Sequence, residues 1–163
     1  MLKIKILDQN DWESWKNIRL ESLKNLPSVF VSSFEEVQNE PDEFFKEHIK
    51  NNKTYGAFFD NQLVAVVTFR RDRRLKERHR GHLSALYVKP EFSRQGIASR
   101  LMSTVIKDAP KIVSQIYVCC VAHNHPSINL CKKLGFKIYG TDTGALKIGS
   151  EYYDLHLLCL RIS

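Results

Sequence analysis

Long apolar runs are missing from this chain. Nowhere do hydrophobic residues continue for the roughly 20 positions that a membrane-spanning helix requires. The opening residues, MLKIKILDQ, alternate as a strand does and lack the apolar centre and cleavage site of a secretory signal. A cytoplasmic protein is therefore expected. Glycine and proline are scarce, seven and five among 163 residues, and neither a linker, a low-complexity tract nor an internal repeat stands out. Cysteine is confined to Cys119, Cys120, Cys131 and Cys159. Adjacent Cys119 and Cys120 would point to opposite faces of a strand, and no CxxC pair has zinc spacing. Reduced thiols and no metal are expected. The GxxxxGK[ST] phosphate loop and the GxGxxG dinucleotide fingerprint are absent too.

What is present suits one soluble domain over residues 1–163, with 43% hydrophobic and 26% charged residues. The formal charge of +7 favours anionic ligands such as phosphate groups, nucleic acid or acidic protein surfaces. MLKIKIL reads as a strand. DQNDWESWKNIRLESLKNLP reads as a helix with Trp12, Trp15, Ile18 and Leu23 at helical spacing. SVFVSSFEEVQNE is expected to be a loop with a short turn, and PDEFFKEHIKNN a helix with an acidic first turn. Two strands joined through DNQ form a hairpin signal. A polar connection, RDRRLKERHR, leads to the strand GHLSALYV and then to a helix running to about Ala109. A strand over 112–121, the helix NHPSINLCKKLGF and two strands around Gly149-Ser150 complete the order βααβββαβαββ, an α/β mixture.

The stretch SRQGIAS, Ser93 to Ser99, stands where a strand gives way to a helix. Glycine there allows close backbone approach, and the first N–H groups of the helix attract anions. Small Ala98 and Ser99 leave room, so the stretch reads as a diphosphate cradle. ALYVKPEFSRQGIASRLM resembles motif A of the GNAT N-acetyltransferases, V-x-P-x-x-[QR]-x-x-G-x-[GA]-x-x-L. NHPSINLCKKLGF resembles the second signature of that family, N-x-x-A-x-x-L-Y-x-x-x-G-F, at the expected distance and in the expected order.

The resemblance implies a mixed sheet of about six or seven strands flanked by about four helices. It also implies a bulged strand splayed from its neighbour to form the acetyl-CoA slot. The activity implied is acetyl transfer from acetyl-CoA to a primary amine of a small molecule or peptide, by direct attack in a ternary complex. Carried over by position, Ser93, Arg94, Gln95, Gly96, Ile97, Ala98 and Ser99 form the pyrophosphate loop. Leu86, Tyr87 and Val88 offer backbone to the pantetheine arm, and Val88 is the candidate oxyanion donor. Asn124 matches a pantetheine contact and equally suits a helix N-cap. Two departures stand out: Ser93 replaces the usual Gln or Arg, and Cys131 replaces the usual tyrosine, the family's proposed general acid.

A free thiol near pKa 8.5 can protonate a departing thiolate more readily than a tyrosine near 10. Cys131 is thus a candidate acid, or simply a buried helix cysteine. His82 is the candidate base; it lies six residues before Val88, a spacing that puts both on one strand face. The alternative is an ordinary strand-start histidine. For the acceptor pocket the resemblance points to the early helices and last hairpin. Glu35 and Glu36 would attract an amine there, with Phe30, Phe34, Tyr152 and Tyr153 as walls, against a plainer reading as solvated acids and rim aromatics. His123 and His125 lack a third ligand for a metal. The run RRDRRLKERHR has no interleaved aromatics, so it reads as a solvated hairpin tip rather than a nucleic-acid contact. Two rival readings remain, a non-catalytic CoA-binding sensor and an RNA- or ribosome-associated protein using the basic tip. Either a monomer or a homodimer fits.

Overall fold

A computed structural model describes residues 1–162. The chain runs β1 (Leu2–Ile6), α1 (Trp12–Asn25), α2 (Phe34–Val37), α3 (Asp42–Asn51), β2 (Lys53–Phe59) and β3 (Gln62–Arg71). It continues with β4 (Arg80–Val88), α4 (Ile97–Asp108), β5 (Gln115–Val121), α5 (His125–Lys133), β6 (Lys137–Ile148) and β7 (Glu151–Arg161). The expected order is present. The one-turn helix α2 sits inside the segment read as a loop with a short turn, and Ser33 caps it by accepting from the Glu36 N–H. The strand expected from 112 begins at Gln115, because the chain first makes a 3-10 turn over Ala109–Lys111.

Seven strands form one mixed sheet in the order β1-β2-β3-β4-β5-β7-β6. Every neighbouring pair is antiparallel except β4 and β5. The β2–β3 turn places Asp60 and Asn61 at φ +48° and +65°, the left-handed pair that a two-residue type I′ hairpin demands. Apolar side chains separate onto the two faces. Leu101, Met102 and Val105 of α4 and Ile128 of α5 pack on one face with Val67, Phe69, Leu83 and Ile116. Trp15, Ile18 and Leu23 of α1 and Phe45 of α3 pack on the other with Leu63, Val66 and Tyr87. Each such aliphatic or aromatic side chain, once fully buried, contributes about 1.5–3 kcal/mol.

The parity of β4 changes along its length. Leu83 faces the α4 side, Ala85 and Tyr87 face the α1 side, and Leu86 and Val88 face α4 again. Ala85 at φ +58° is the extra residue, and the β3–β4 register shifts between Val66 and Thr68 to accommodate it. The expectation that His82 and Val88 share a face is therefore corrected: the bulge reverses alternation between them, leaving His82 on the α1 side. Pairing of β4 with β5 stops at Leu83–Val118, while β5 stays paired with β7 through Val121–Leu155. The sheet is split along that line.

Gly81 sits at the root of the split. A Cβ there would lie 2.3 Å from Cε2 of Phe69, a ring only 3% exposed. Gly81→Ala should cost about 1–3 kcal/mol through overpacking, seen as a lower urea midpoint, and Phe69→Leu in the same chain should recover part of it. A Gly81→Ala protein as stable as the parent would show that the ring is not held against β4.

Candidate functional site

After β4 the chain makes a 3-10 turn over Pro90–Phe92 and reaches α4 through Ser93–Gly96. Arg94 and Gly96 both take positive φ, +60° and +76°. Gly96 is the N-cap and supplies no side-chain bond, so the first-turn N–H groups of Ile97, Ala98 and Ser99 keep their donor capacity. A Cβ on Gly96 would meet nothing within 4 Å. Buried Ile97 anchors this open cradle to the core. The Ser93 hydroxyl donates to the Pro90 carbonyl at 2.7 Å, which turns it away from any anion and leaves the exposed Arg94 side chain to assist. The cradle thus fits a phosphate-bearing cosubstrate.

The split between β4 and β5 opens a cavity of about 70 Å³, lined by Ser84, Leu86, Cys119, Cys120, Asn124 and Cys131 among others. The Lys89 N–H donates to the Val64 carbonyl at 2.9 Å. By antiparallel alternation Val88, one residue earlier, points its N–H away from β3 and towards the side that β5 has vacated. Tyr87 contributes backbone only, because its ring is buried against α1 and its hydroxyl donates to Glu21 at 2.8 Å. Asn124 caps α5 through the Ser127 N–H and also lines the cavity. The N-cap reading is observed directly, and the same residue borders the cavity.

Cys131 is fully buried. Its hydrogen bond with Cys120, together with burial, raises its pKa. Cys120 is lowered to about 7, chiefly by the bond from Cys131, with burial opposing and Ser127 assisting. The Ser127 hydroxyl lies 3.6 Å from the Cys120 sulfur. Cys131 is thus a weaker lone acid than a free thiol, and Cys120 is the sulfur that also has the Ser127 hydroxyl beside it. Sequence reasoning passed over Cys120, although strand alternation already aimed it opposite to exposed Cys119.

His82 pairs across the sheet with Arg70 on one side and Tyr117 on the other, one step before the strands part. Its Nε2 lies 2.8 Å from Asp72. The carboxylate accepts, so Nε2 carries the proton and Nδ1 of the neutral ring keeps its lone pair. Asp72 is also 3.4 Å from Arg70 and 3.8 Å from Arg80, whose guanidinium stacks over Tyr117. The basic run is therefore in part a framework around one acid. Asp72 could have been found from the hairpin register, since it stands two residues beyond Arg70 and so on the same side as His82.

Of the expected acceptor residues, Phe30 lines the cavity and Phe34 packs with the α1-side cluster. Tyr153 does not line the cavity; its ring lies 5.3 Å from that of His123, whose Nε2 contacts Ser28 at 3.3 Å. Glu35 and Glu36 are exposed on α2, and Tyr152 is 65% exposed on the last hairpin. None of these three lines the cavity. Beside it, His48 stacks on Trp15 with centroids 4.4 Å apart, and its Nε2 lies 3.1 Å from Thr54 and 3.2 Å from Thr68. Burial, with the charge of Arg19 adding, pushes its pKa down to about 4.

A family model described as the acetyltransferase (GNAT) family matches residues 12–136. An N-alpha-acetyltransferase of Saccharolobus solfataricus is 28% identical over 152 residues, 85% of this chain and 88% of that protein. A GNAT-family acetyltransferase of Streptococcus pneumoniae superposes over the whole of both chains with a TM-score of 0.87 at 20% identity. The structure of yncA from Salmonella typhimurium, solved with its cofactor acetyl-CoA, superposes with a TM-score of 0.87 at 16% identity, covering 100% of this chain and 95% of that one. These structural likenesses establish the fold.

The depressed His48 sets a sign for pH dependence. Its ordinary value is near 6.5 and its folded value about 4, so the unfolded chain takes up a proton that the folded chain refuses. Stability should be full above about pH 6.5 and fall as pH drops towards 4, by up to about 3 kcal/mol. Urea midpoints at pH 7 and 4.5 should diverge less in His48→Gln than in the parent. Parallel profiles would assign the acid sensitivity elsewhere.

Proposed function

The chain belongs to the GNAT acetyltransferase family and is an N-acetyltransferase, and we propose that it acetylates a primary amine by direct attack within a ternary complex. One observation carries this reading: the sheet splits after Leu83, with an uncapped helix N-terminus following the parted strand and a histidine–carboxylate pair one residue before the last β4–β5 pairing. Acetyl-CoA, when bound, supplies the activated thioester carbonyl. The N–H groups of Gly96 to Ser99 would hold its pyrophosphate, with the helix dipole adding attraction. Leu86 and Val88 would offer backbone to the pantetheine arm, and the Val88 N–H would receive the charge that develops on the carbonyl oxygen. Asn124 would contact the same arm from the start of α5.

His82 has the geometry of a base. Asp72 fixes the tautomer and stabilises the ring when it gains a proton, leaving Nδ1 to take that proton from the amine, directly or through water. The departing thiolate needs a proton in return. We assign this to the Cys120–Cys131 pair rather than to Cys131 alone, with Cys120 delivering and Cys131 supporting through its hydrogen bond. A thiol near pKa 7 gives its proton readily to a thiolate of ordinary basicity near 8.5. Phe30 and Phe34 would wall the acceptor and Tyr153 close it from the last hairpin. Glu35, Glu36 and Tyr152 would act, if at all, at its outer rim. The N-alpha-acetyltransferase relative makes a peptide N-terminus one acceptor class, beside small-molecule amines.

Calorimetric titration with acetyl-CoA, followed by thiol release against amino acids, polyamines, aminoglycosides and peptides, tests the reading. Gly96→Glu should weaken acetyl-CoA binding at least about 100-fold by filling the cradle and repelling phosphate; unchanged affinity would remove the cradle. His82→Ala should lower turnover by about 10²–10⁴-fold with acetyl-CoA affinity retained, and Asp72→Asn should fall between. A His82→Ala pH–rate profile that overlays the parent would exclude His82 as base.

A further inference from the structure

Arg19 stands out on α1 because its neighbours have left it without an acid. Three carboxylates on or beside that helix are taken: Asp11 by Lys5 at 2.9 Å, Asp42 by Lys16 at 2.9 Å and Glu21 by Lys89 at 2.7 Å. Among the described residues no carboxylate pairs with Arg19, and its Nη1 is shielded from solvent with no hydrogen-bond partner. The guanidinium lies 5.1 Å over the ring of Phe30. Such a cation–π contact satisfies the flat face of the fork and none of its in-plane donors. Its other charged neighbour, His48, is held neutral and offers no negative charge. A guanidinium in this position lacks the planar anion that its geometry matches.

Its location says what that anion belongs to. Phe30 lines the cavity at the parted strands. His48 bonds to Thr68, and Thr68 stands directly across from Ser84, which lines the same cavity. Arg19 thus stands on the α1 face of the sheet, where His82 also stands, and is joined to the slot through Phe30, whereas the phosphate cradle opens at the start of α4. The cosubstrate's phosphates have their own donors there and leave Arg19 to the acceptor.

We propose that Arg19 binds a carboxylate that the acceptor carries close to its reacting amine. This rests on the reading of the slot as the place of acetyl transfer. The carboxylate can be the α-carboxylate of a free amino acid or the side chain of an acidic residue near a peptide N-terminus. The shared chemistry is a fork-to-carboxylate pair beside a primary amine. Arg19 acts here as a specificity residue that touches the acceptor, without a part in moving protons.

The test uses paired acceptors that carry or lack that charge, with rates referred to the unprotonated amine because amidation lowers the α-amine pKa: L-leucine against L-leucinamide, and C-terminally amidated Ala-Glu-Ala-Ala against amidated Ala-Gln-Ala-Ala. Thiol release by the parent should favour the carboxylate member of at least one pair by about 10- to 100-fold in kcat/KM. Which pair shows it distinguishes the α-carboxylate from the acidic side chain. Arg19→Gln should collapse that preference to within about threefold, through KM, while acetyl-CoA affinity stays as in the parent. Arg19→Lys should retain part of it, since charge survives and the fork does not. A parent that prefers the neutral members, or a variant that slows both members equally, overturns the proposal. If no acceptor releases thiol, the proposed reaction has failed for these amines, and direct binding decides the site. The ¹⁵N resonance of Arg19 Nε in the CoA-loaded parent should then shift saturably with leucine or the glutamyl peptide and not with their amides. Absence of any such shift overturns the proposal independently of turnover.

Discussion

Beyond Leu83 the β4 strand keeps its bonds to β3 and releases those to β5, and left-handed Ala85 makes this possible. A non-glycine residue in that conformation costs about 1–2 kcal/mol, and buried backbone groups left without partners cost more. Such a break persists only where the surrounding packing over-determines it. Here α1 locks the far side of the bulge: Tyr87 is buried against it, and the Tyr87 hydroxyl, Glu21 and Lys89 form one hydrogen-bonded group. Met102 of α4 and Cys131 of α5 fill the near side. The gap is therefore a built feature of a rigid sheet.

The same bulge divides the labour between two faces. Before it, even-numbered side chains of β4 point towards α1, and His82 and Ser84 go with them. After it, Leu86 and Val88 point towards α4, the helix whose free N-terminus attracts anions. On the proposed reading, a phosphate-bearing thioester and an amine approach from opposite sides and meet at the gap. First-turn amides stand on one side, and a carboxylate-bound histidine with an unpaired guanidinium on the other. The +7 charge read from composition says little about this arrangement. Two arginines of its basic run, Arg70 and Arg80, lie against Asp72, and Arg19, over the ring of Phe30, lies elsewhere, on α1.

Element order, both hairpin turns and the cradle were legible in the sequence, because each depends on local chemistry. Asp60-Asn61 and Gly149-Ser150 announce turns, and Gly96 opens a helix. The parity reversal was not legible. Alanine gives no signal for left-handed backbone, so counting by twos from His82 to Val88 crossed a bulge unnoticed. Partnerships across the fold were equally hidden. Nothing local in the sequence marks Asp72, Cys120 or Arg19. Each acquires its meaning from a neighbour in another element: His82, Cys131 and Phe30.

The thiol pair places a second residue beside the one that departs from the motif. At the position of the usual tyrosine, Cys131 is shorter and fully buried, and taken singly it is a poor acid. The end of β5 brings Cys120 to it, and Ser127, on the adjoining turn of α5, adds a further hydrogen-bond neighbour. The proton shared between the sulfurs then makes one thiol more acidic at the expense of the other. Both thiols line the cavity where β4 has withdrawn. On the proposed reading, two short groups carried on different elements take the place of one long phenol, an arrangement that depends on the split between β4 and β5.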